Sequence, residues 1–246
     1  MSGLLSFIDV AALGLVVGLN LRRAIAKPAA AAVLFVDCDD CCYQNEWATA
    51  KKITSSIAGY TARIGVSKEK AYGLYQTHGT CLKGLLVEGL IDDAGVEEYL
   101  HAVHLIDYSD IVPDLPLREE LAKLKTPAWI FTASTSEHAR RCLERVGIGD
   151  LPWKGVIDTR SCSLETKHSR SSFEAAMKIA DVSDPTTCVF CDDSVKNIKA
   201  AKAVGWRTVL VGLYERDSGK RIICAEADAH IASLHGLRSA VPELFS

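Results

Sequence analysis

Short, unbroken apolar runs recur along the chain, and most are separated by stretches with helical spacing. The runs cover residues 29–36, 128–132, 155–158, 187–191, 208–211 and 229–231. Continuous apolar runs of this length suit strands buried on both faces, as in a parallel sheet. Residues 117–124, 137–146, 172–180 and 194–204 carry apolar positions at helical intervals between them. Strands alternating with helices predict an α/β fold, a doubly wound parallel sheet.

One stretch breaks the alternation. Residues 43–111 hold no convincing buried strand and instead read as helices near 46–62, 68–77, 82–88 and 95–103. A helical insertion after the first strand predicts a cap over the carboxyl edge of the sheet. The expected organisation is therefore a core of residues 29–42 and 112–246 with a helical cap at 43–111.

A separate apolar segment occupies residues 1–28. From 4 to 21 it is interrupted only by Ser6, Asp9, Gly14, Gly18 and Asn20, and Arg22, Arg23, Lys27 and Pro28 follow. Eighteen helical residues span ~27 Å, close to the thickness of a bilayer core. Positive charge after the segment favours a cytoplasmic position for the rest of the chain and argues against a secretory signal. Three readings stand: an anchor in a membrane or against another subunit, a helix packed on its own protein, or a cleaved targeting peptide.

Composition narrows the class. The chain has 246 residues, 48% hydrophobic and 24% charged, with a formal net charge of −3. So much apolar content excludes a disordered chain, and neither a heptad nor a Gly-x-y period is present. No long Lys/Arg block marks a footprint for a nucleic acid polymer. Nine cysteines, at 38, 41, 42, 81, 142, 162, 188, 191 and 224, read as packed thiols in a cytosol-like reducing compartment. Two C-x-x-C spacings, Cys38/Cys41 and Cys188/Cys191, superficially match a zinc site. In a strand, however, residues i and i+3 face opposite sides.

Chemistry collects where parallel strands end. The first run ends Asp37-Cys38-Asp39-Asp40, the next Thr132-Ala133-Ser134, and a later one Asp192-Asp193-Ser194, with Lys167 in the loop Glu165-Thr166-Lys167-His168. Clustered carboxylates repel one another unless a cation neutralises them, and hard oxygen donors suit Mg²⁺. Such a site attracts a phosphoryl group. Asp37 is placed to attack phosphorus, and Asp39 to move the proton of the leaving oxygen.

Asp37-Cys38-Asp39, Thr132, Lys167 and Asp192-Asp193 resemble, in order and spacing, the four motifs of the haloacid dehalogenase superfamily. The resemblance covers roughly residues 31–215. Residues 37–43, His78-Gly79-Thr80 with Lys83-Gly84-Leu85, and Asp192-Asp193-Ser194 with Asn197-Ile198 resemble its pyrimidine 5′-nucleotidase-like branch, as does the return segment 112–118 with Pro113 and Pro116. The resemblance implies a Mg²⁺-dependent phosphomonoesterase acting through an aspartyl-phosphate on a small phosphorylated metabolite, a nucleoside 5′-monophosphate among the candidates. Asp37 is then nucleophile and metal ligand, and Asp39 is the general acid/base that offers its backbone carbonyl to the metal. Thr132 and Ala133 bind the phosphoryl group, Lys167 steadies Asp37 and phosphate, and Asp192 and Asp193 complete the metal site.

Two positions depart from the pattern. Ala133 stands where many relatives have Asn, and His168 where they have Pro. A missing Asn hydrogen bond costs about 1–3 kcal/mol if its partner stays buried and unpaired. Lys83 and His78 of the insertion are either substrate contacts or solvated charges. His138 and His168 lie near motif residues without a compelled role, the four tryptophans read as packing, and Thr132, Ser134 and Ser136 compete to cap the following helix. A competing function is an accessory subunit of a membrane complex that keeps the fold for scaffolding, its contact made through residues 4–21.

Overall fold

The computed structural model describes residues 31–216 and 218–246, so the apolar segment 1–28 and its three readings lie outside the described residues. Among the described residues, no helix is long and apolar enough to cross a membrane. Six parallel strands among the described residues form one sheet in the order β3-β2-β1-β4-β5-β6. They are β1 (Val33–Val36), β2 (Ala128–Phe131), β3 (Val156–Ile157), β4 (Cys188–Asp192), β5 (Arg207–Val211) and β6 (Ala229–Ile231). The order reverses at β1, which pairs with β2 on one side and β4 on the other. The fold is the doubly wound α/β sheet that the alternation predicts.

Pleating divides each strand between two cores. Leu34, Val36, Ile130 and Cys191 face one layer, packed by α5 (Leu115–Leu121), α6 (Ser136–Val146) and α9 (Leu237–Ala240). Val33, Phe35, Phe131 and Phe190 face the other, packed by α7 (Arg170–Ile179) and α8 (Val195–Val204). In that second layer Trp206 stacks on Phe35 with ring centroids 4.6 Å apart. Cys188 and Cys191 fall in opposite layers, so the C-x-x-C of β4 cannot pinch one ion. All nine cysteines are free thiols, and eight of them are buried.

Between β1 and β2 come α1 (Ala48–Arg63), α2 (Lys68–His78), α3 (Cys81–Val87) and α4 (Asp93–Val103). Their inward faces form a third hydrophobic cluster around Tyr60, Leu74, Leu85 and Leu100. Local chemistry sets the starts: Ser67, Thr80 and Asp92 each accept a backbone N–H from the first turn of the helix after it. The exit is set by Asp114, which caps α5, with a proline in that helix's first turn. Asp39 and the residues that continue from it carry the chain from the sheet edge into these helices.

Contact between insertion and sheet edge is close. Gly79 ends α2 with φ +85°, and a Cβ there would meet His168 Nδ1 at 2.8 Å. Only glycine meets both demands. Farther out, Arg160 of the loop after β3 pairs with Glu97 of α4 at 2.8 Å.

Candidate active site

Asp37 leaves β1 at the point where the strand order reverses, with its N–H donating to Cys191 O at 2.9 Å. Clefts form at such points because neighbouring connections depart to opposite faces. Thr132 and Asp192 end the two strands that flank β1, and Lys167 enters from the loop after β3. Four side chains from separate parts of the sequence meet there.

Lys167 is buried and spends its three protons within the site. Nζ lies 2.7 Å from Asp37 Oδ1, 2.7 Å from Asp192 Oδ2 and 3.2 Å from Phe131 O. Burial alone would lower its pKa, but the charges of Asp192 and Asp37 raise it, so the ammonium stays charged. Asp192 is fully buried, and Ser194 N and Asn197 Nδ2 also donate to it at 2.8 and 2.9 Å. Asn197 sits on the first turn of α8 with its N–H to the Ser194 cap, which aims its amide at Asp192. The sequence reading missed that positioning role.

Asp37, Asp192 and Asp193 each bring one carboxylate oxygen within 4.8 Å of the others. Against three carboxylates stands one ammonium. Burial, with Asp192 and Asp39 adding to it, raises Asp37 to about 8 despite Lys167. Asp193 is pushed up for the same reasons, burial first and then Asp192 and Asp37. The cluster therefore lacks positive charge, and its donors are all oxygen. A hard divalent cation of the Mg²⁺ type fits both conditions.

Asp39 occupies different surroundings. Its Oδ1 accepts from Tyr43 at 2.6 Å and His138 Nε2 at 2.8 Å, and Oδ2 accepts from Ser134 Oγ at 3.0 Å. Burial alone would raise Asp39, but the His138 charge and these three bonds hold it well below the usual carboxylate range. Tyr108 donates its proton to His104 O, so the 2.9 Å contact between Tyr108 and His138 needs a proton on Nδ1. Both ring nitrogens of His138 thus donate. Burial opposes that charge, but Asp39 raises His138 to about 12. The sequence left His138 without a role. The available signal was its place on the apolar stripe Ala139, Cys142, Leu143 and Val146 of α6, since an ionisable group buried there needs a partner.

The remaining candidates separate into two groups. Thr132 is buried beside Asp37, its Oγ1 accepting from Ser134 N at 3.0 Å, and Ala133 is exposed at the cavity wall. Thr135, rather than Ser134 or Ser136, caps α6 by accepting from His138 N. Lys83 is not among the cavity-lining residues: its Nζ is 2.7 Å from Glu165, tying the insertion to the loop that carries Lys167. His78 lies 3.9 Å from Glu88. Cys38, between the two key aspartates, is fully buried in the first core layer. A cavity of about 800 Å³ opens over the site, with Trp47, Tyr75 and Thr80 of the insertion on one side and His168, Lys196 and Arg216 on the other. Trp47 is thus a wall of the cavity as well as packing.

Residues 31–205 match the family model described as haloacid dehalogenase-like hydrolase. The chain belongs to that family. Among curated relatives, it is 28% identical over 203 residues to phosphate metabolism protein 8 of Saccharomyces cerevisiae, covering 72% of this chain and 60% of that protein. The haloacid dehalogenase-like fold recurs in solved structures. Beta-phosphoglucomutase from Clostridium difficile superposes with a TM-score of 0.59 at 18% identity, covering 87% of this chain and 97% of that one. The magnesium-bound hydrolase YfnB from Bacillus subtilis superposes with a TM-score of 0.53 at 16% identity, covering 87% and 100%.

Proposed function

We propose that this haloacid dehalogenase-like hydrolase is a Mg²⁺-dependent phosphomonoesterase that works through an aspartyl-phosphate on Asp37. The observation that carries this reading is the cluster of buried Asp37 and Asp192 with half-buried Asp193, in which Lys167 pairs with the first two. Asp37, Asp192 and Asp193 would hold the cation by their side chains and Asp39 by its backbone carbonyl. Bound there, Mg²⁺ supplies positive charge that keeps Asp37 ionised and draws phosphoryl oxygens to the site. Thr132, the N–H of Ala133 and Lys167 bind and orient the phosphoryl group.

Catalysis takes two displacements, with one proton recycled. Asp39 is ionised before the cycle begins and must first take up one proton; Asp37 then attacks phosphorus, the bond to the ester oxygen breaks, and Asp39 gives that oxygen the proton. Water then attacks phosphorus, the bond to Asp37 breaks, and Asp39 takes the water proton while phosphate leaves. Trp47 and Tyr75 line a cavity of about 800 Å³. A nucleoside 5′-monophosphate is the first candidate substrate, because a flat base stacks on such rings. The name of the yeast relative agrees with phosphate chemistry.

The full chain assayed against nucleoside monophosphates, sugar phosphates and alkyl phosphates is expected to release phosphate with Mg²⁺ and to stop when EDTA is added. Asp37→Asn should lower turnover at least ~10⁴-fold, the scale on which a covalent nucleophile is missed. Mg²⁺ at about 100 times its Kd should also stabilise the fold by roughly 2.7 kcal/mol in a thermal melt. Turnover that survives either Asp37→Asn or chelation overturns the mechanism.

A further inference from the structure

Asp39 is held by a relay that the recognised motifs do not contain. Its Oδ1 accepts two hydrogen bonds, from Tyr43 at 2.6 Å and His138 Nε2 at 2.8 Å. Two donors fill the two in-plane lone pairs of a carboxylate oxygen. Oδ2 accepts one, from Ser134 at 3.0 Å, and keeps a lone pair. The two oxygens of Asp39 are therefore not equivalent. His138 is completely buried, so its ring cannot swing to water, and Tyr108 pins its other nitrogen at 2.9 Å. Tyr108 in turn donates to His104 O, at the end of α4, where the chain leaves the helical insertion.

We propose that His138 is the positioning residue for Asp39, filling Oδ1 and so reserving Oδ2 as the oxygen that carries the proton. The inference rests on the reading of Asp39 as general acid. In the first displacement Asp39 Oδ2 releases its proton to the ester oxygen as the phosphorus–oxygen bond breaks. In the second, the attacking water returns a proton to that same oxygen. His138 neither gains nor loses a proton in the cycle. Its work is to fix which oxygen acts and where it points, with Tyr108 steadying the ring from the exit of the insertion. Tyr108 and His138 come from different parts of the chain, 30 residues apart, so neither alone marks the relay in the sequence.

Leaving groups of different basicity test this. An alkoxide needs a proton to leave, whereas 4-nitrophenolate leaves without one. A loss of general-acid positioning therefore lowers kcat for an alkyl phosphate far more than for 4-nitrophenyl phosphate. A loss of folded protein lowers both alike. The full chain with Mg²⁺ is assayed on both esters, with each variant's unfolding midpoint measured in urea. Asp39→Asn should lose about 10²-fold or more on the alkyl ester and much less on the aryl ester. His138→Ala should lose about 10-fold on the alkyl ester with the aryl rate within about 3-fold, and His138→Gln, which keeps a donor for Oδ1, should recover part of that loss. Tyr108→Phe removes only the outer hydroxyl and keeps the test open if His138→Ala does not fold, with about 3-fold loss confined to the alkyl ester.

Equal losses on both esters in His138→Gln and Tyr108→Phe, or no loss in either, overturn the positioning role while Asp39→Asn still discriminates. If Asp39→Asn itself treats the two esters alike, the general-acid reading fails, and the role of His138 falls with it.

Discussion

Asp37 shares its corner of the cavity with Asp192, Asp193 and one ammonium, whereas Asp39, two residues along the same turn, is surrounded by donors. The first carboxylate is raised to about 8, chiefly by burial, and the second is held below its usual range by His138, Tyr43 and Ser134 against burial of its own. Proximity in sequence therefore says little about charge state. Adjacent turn positions face different walls of the cleft: Asp37 meets the end of β4, and Asp39 meets α6. Without a cation these shifts run opposite to the proposed roles, with the proton on Asp37 and not on Asp39, so the roles require added positive charge at the Asp37 corner. The Asp37 corner is short of positive charge, and the Asp39 corner is complete without any further group.

Removing charge from the deficient corner should have the largest effect. Lys167→Met leaves Asp37 and Asp192 buried without their shared partner, and breaking a buried pair in this way costs about 3–5 kcal/mol. Urea unfolding in EDTA checks it, and Mg²⁺ should return part of the loss. A change below about 1 kcal/mol would mean that the two carboxylates do not depend on the ammonium.

His104 gives a somewhat smaller and pH-dependent effect at the complete corner. Burial, with the His138 charge beside it, lowers His104 to about 4 from an ordinary value of 6.5, and its Nδ1 donates to Leu100 O at 2.7 Å. Asp39 acts in the opposite direction and Arg160 in the same one. Between pH 6.5 and 4 the unfolded chain binds this proton and the folded chain does not, so stability falls as pH falls across that window. The contribution is on the order of 3 kcal/mol. Melts of the wild type and His104→Gln should run parallel above about pH 7 and change their separation as pH falls toward 4. Parallel curves throughout would mean that burial does not hold the His104 ring neutral.

The smallest effect sharpens the contrast. Tyr43→Phe deletes one of three donors to Asp39 and leaves the other two, for about 1 kcal/mol in urea unfolding. A loss as large as that of Lys167→Met would show that the Asp39 corner is no better satisfied than the Asp37 corner.

Much of the fold was legible in the chain. The run at 229–231 matches β6, and the helices of the insertion begin within two residues of their expected starts. Apolar run length misled at the edges. Residues 29–36 read as one strand; among the described residues β1 is Val33–Val36, and positions 29 and 30 lie outside them. The run at 155–158 shrinks to the two residues of β3, an edge strand with one neighbour. Asp37, Lys167 and Asp192 were recognisable as motif positions before any contact was known. Lys83 reads from the sequence as a candidate substrate contact, but its ion pair with Glu165 depends on a loop 82 residues away.

Alternating apolar runs and strand-end carboxylates determined the sheet, its parallel sense and the residues of the charged cluster, because periodicity and strand ends are local properties of a chain. Which oxygen of Asp39 is free, why His138 carries a proton, and that Asn197 holds Asp192 were decided only in the folded molecule. Hydrogen-bond saturation and desolvation depend on every group within a few ångströms, and those groups come from β1, α6, α8 and the exit of the insertion at once.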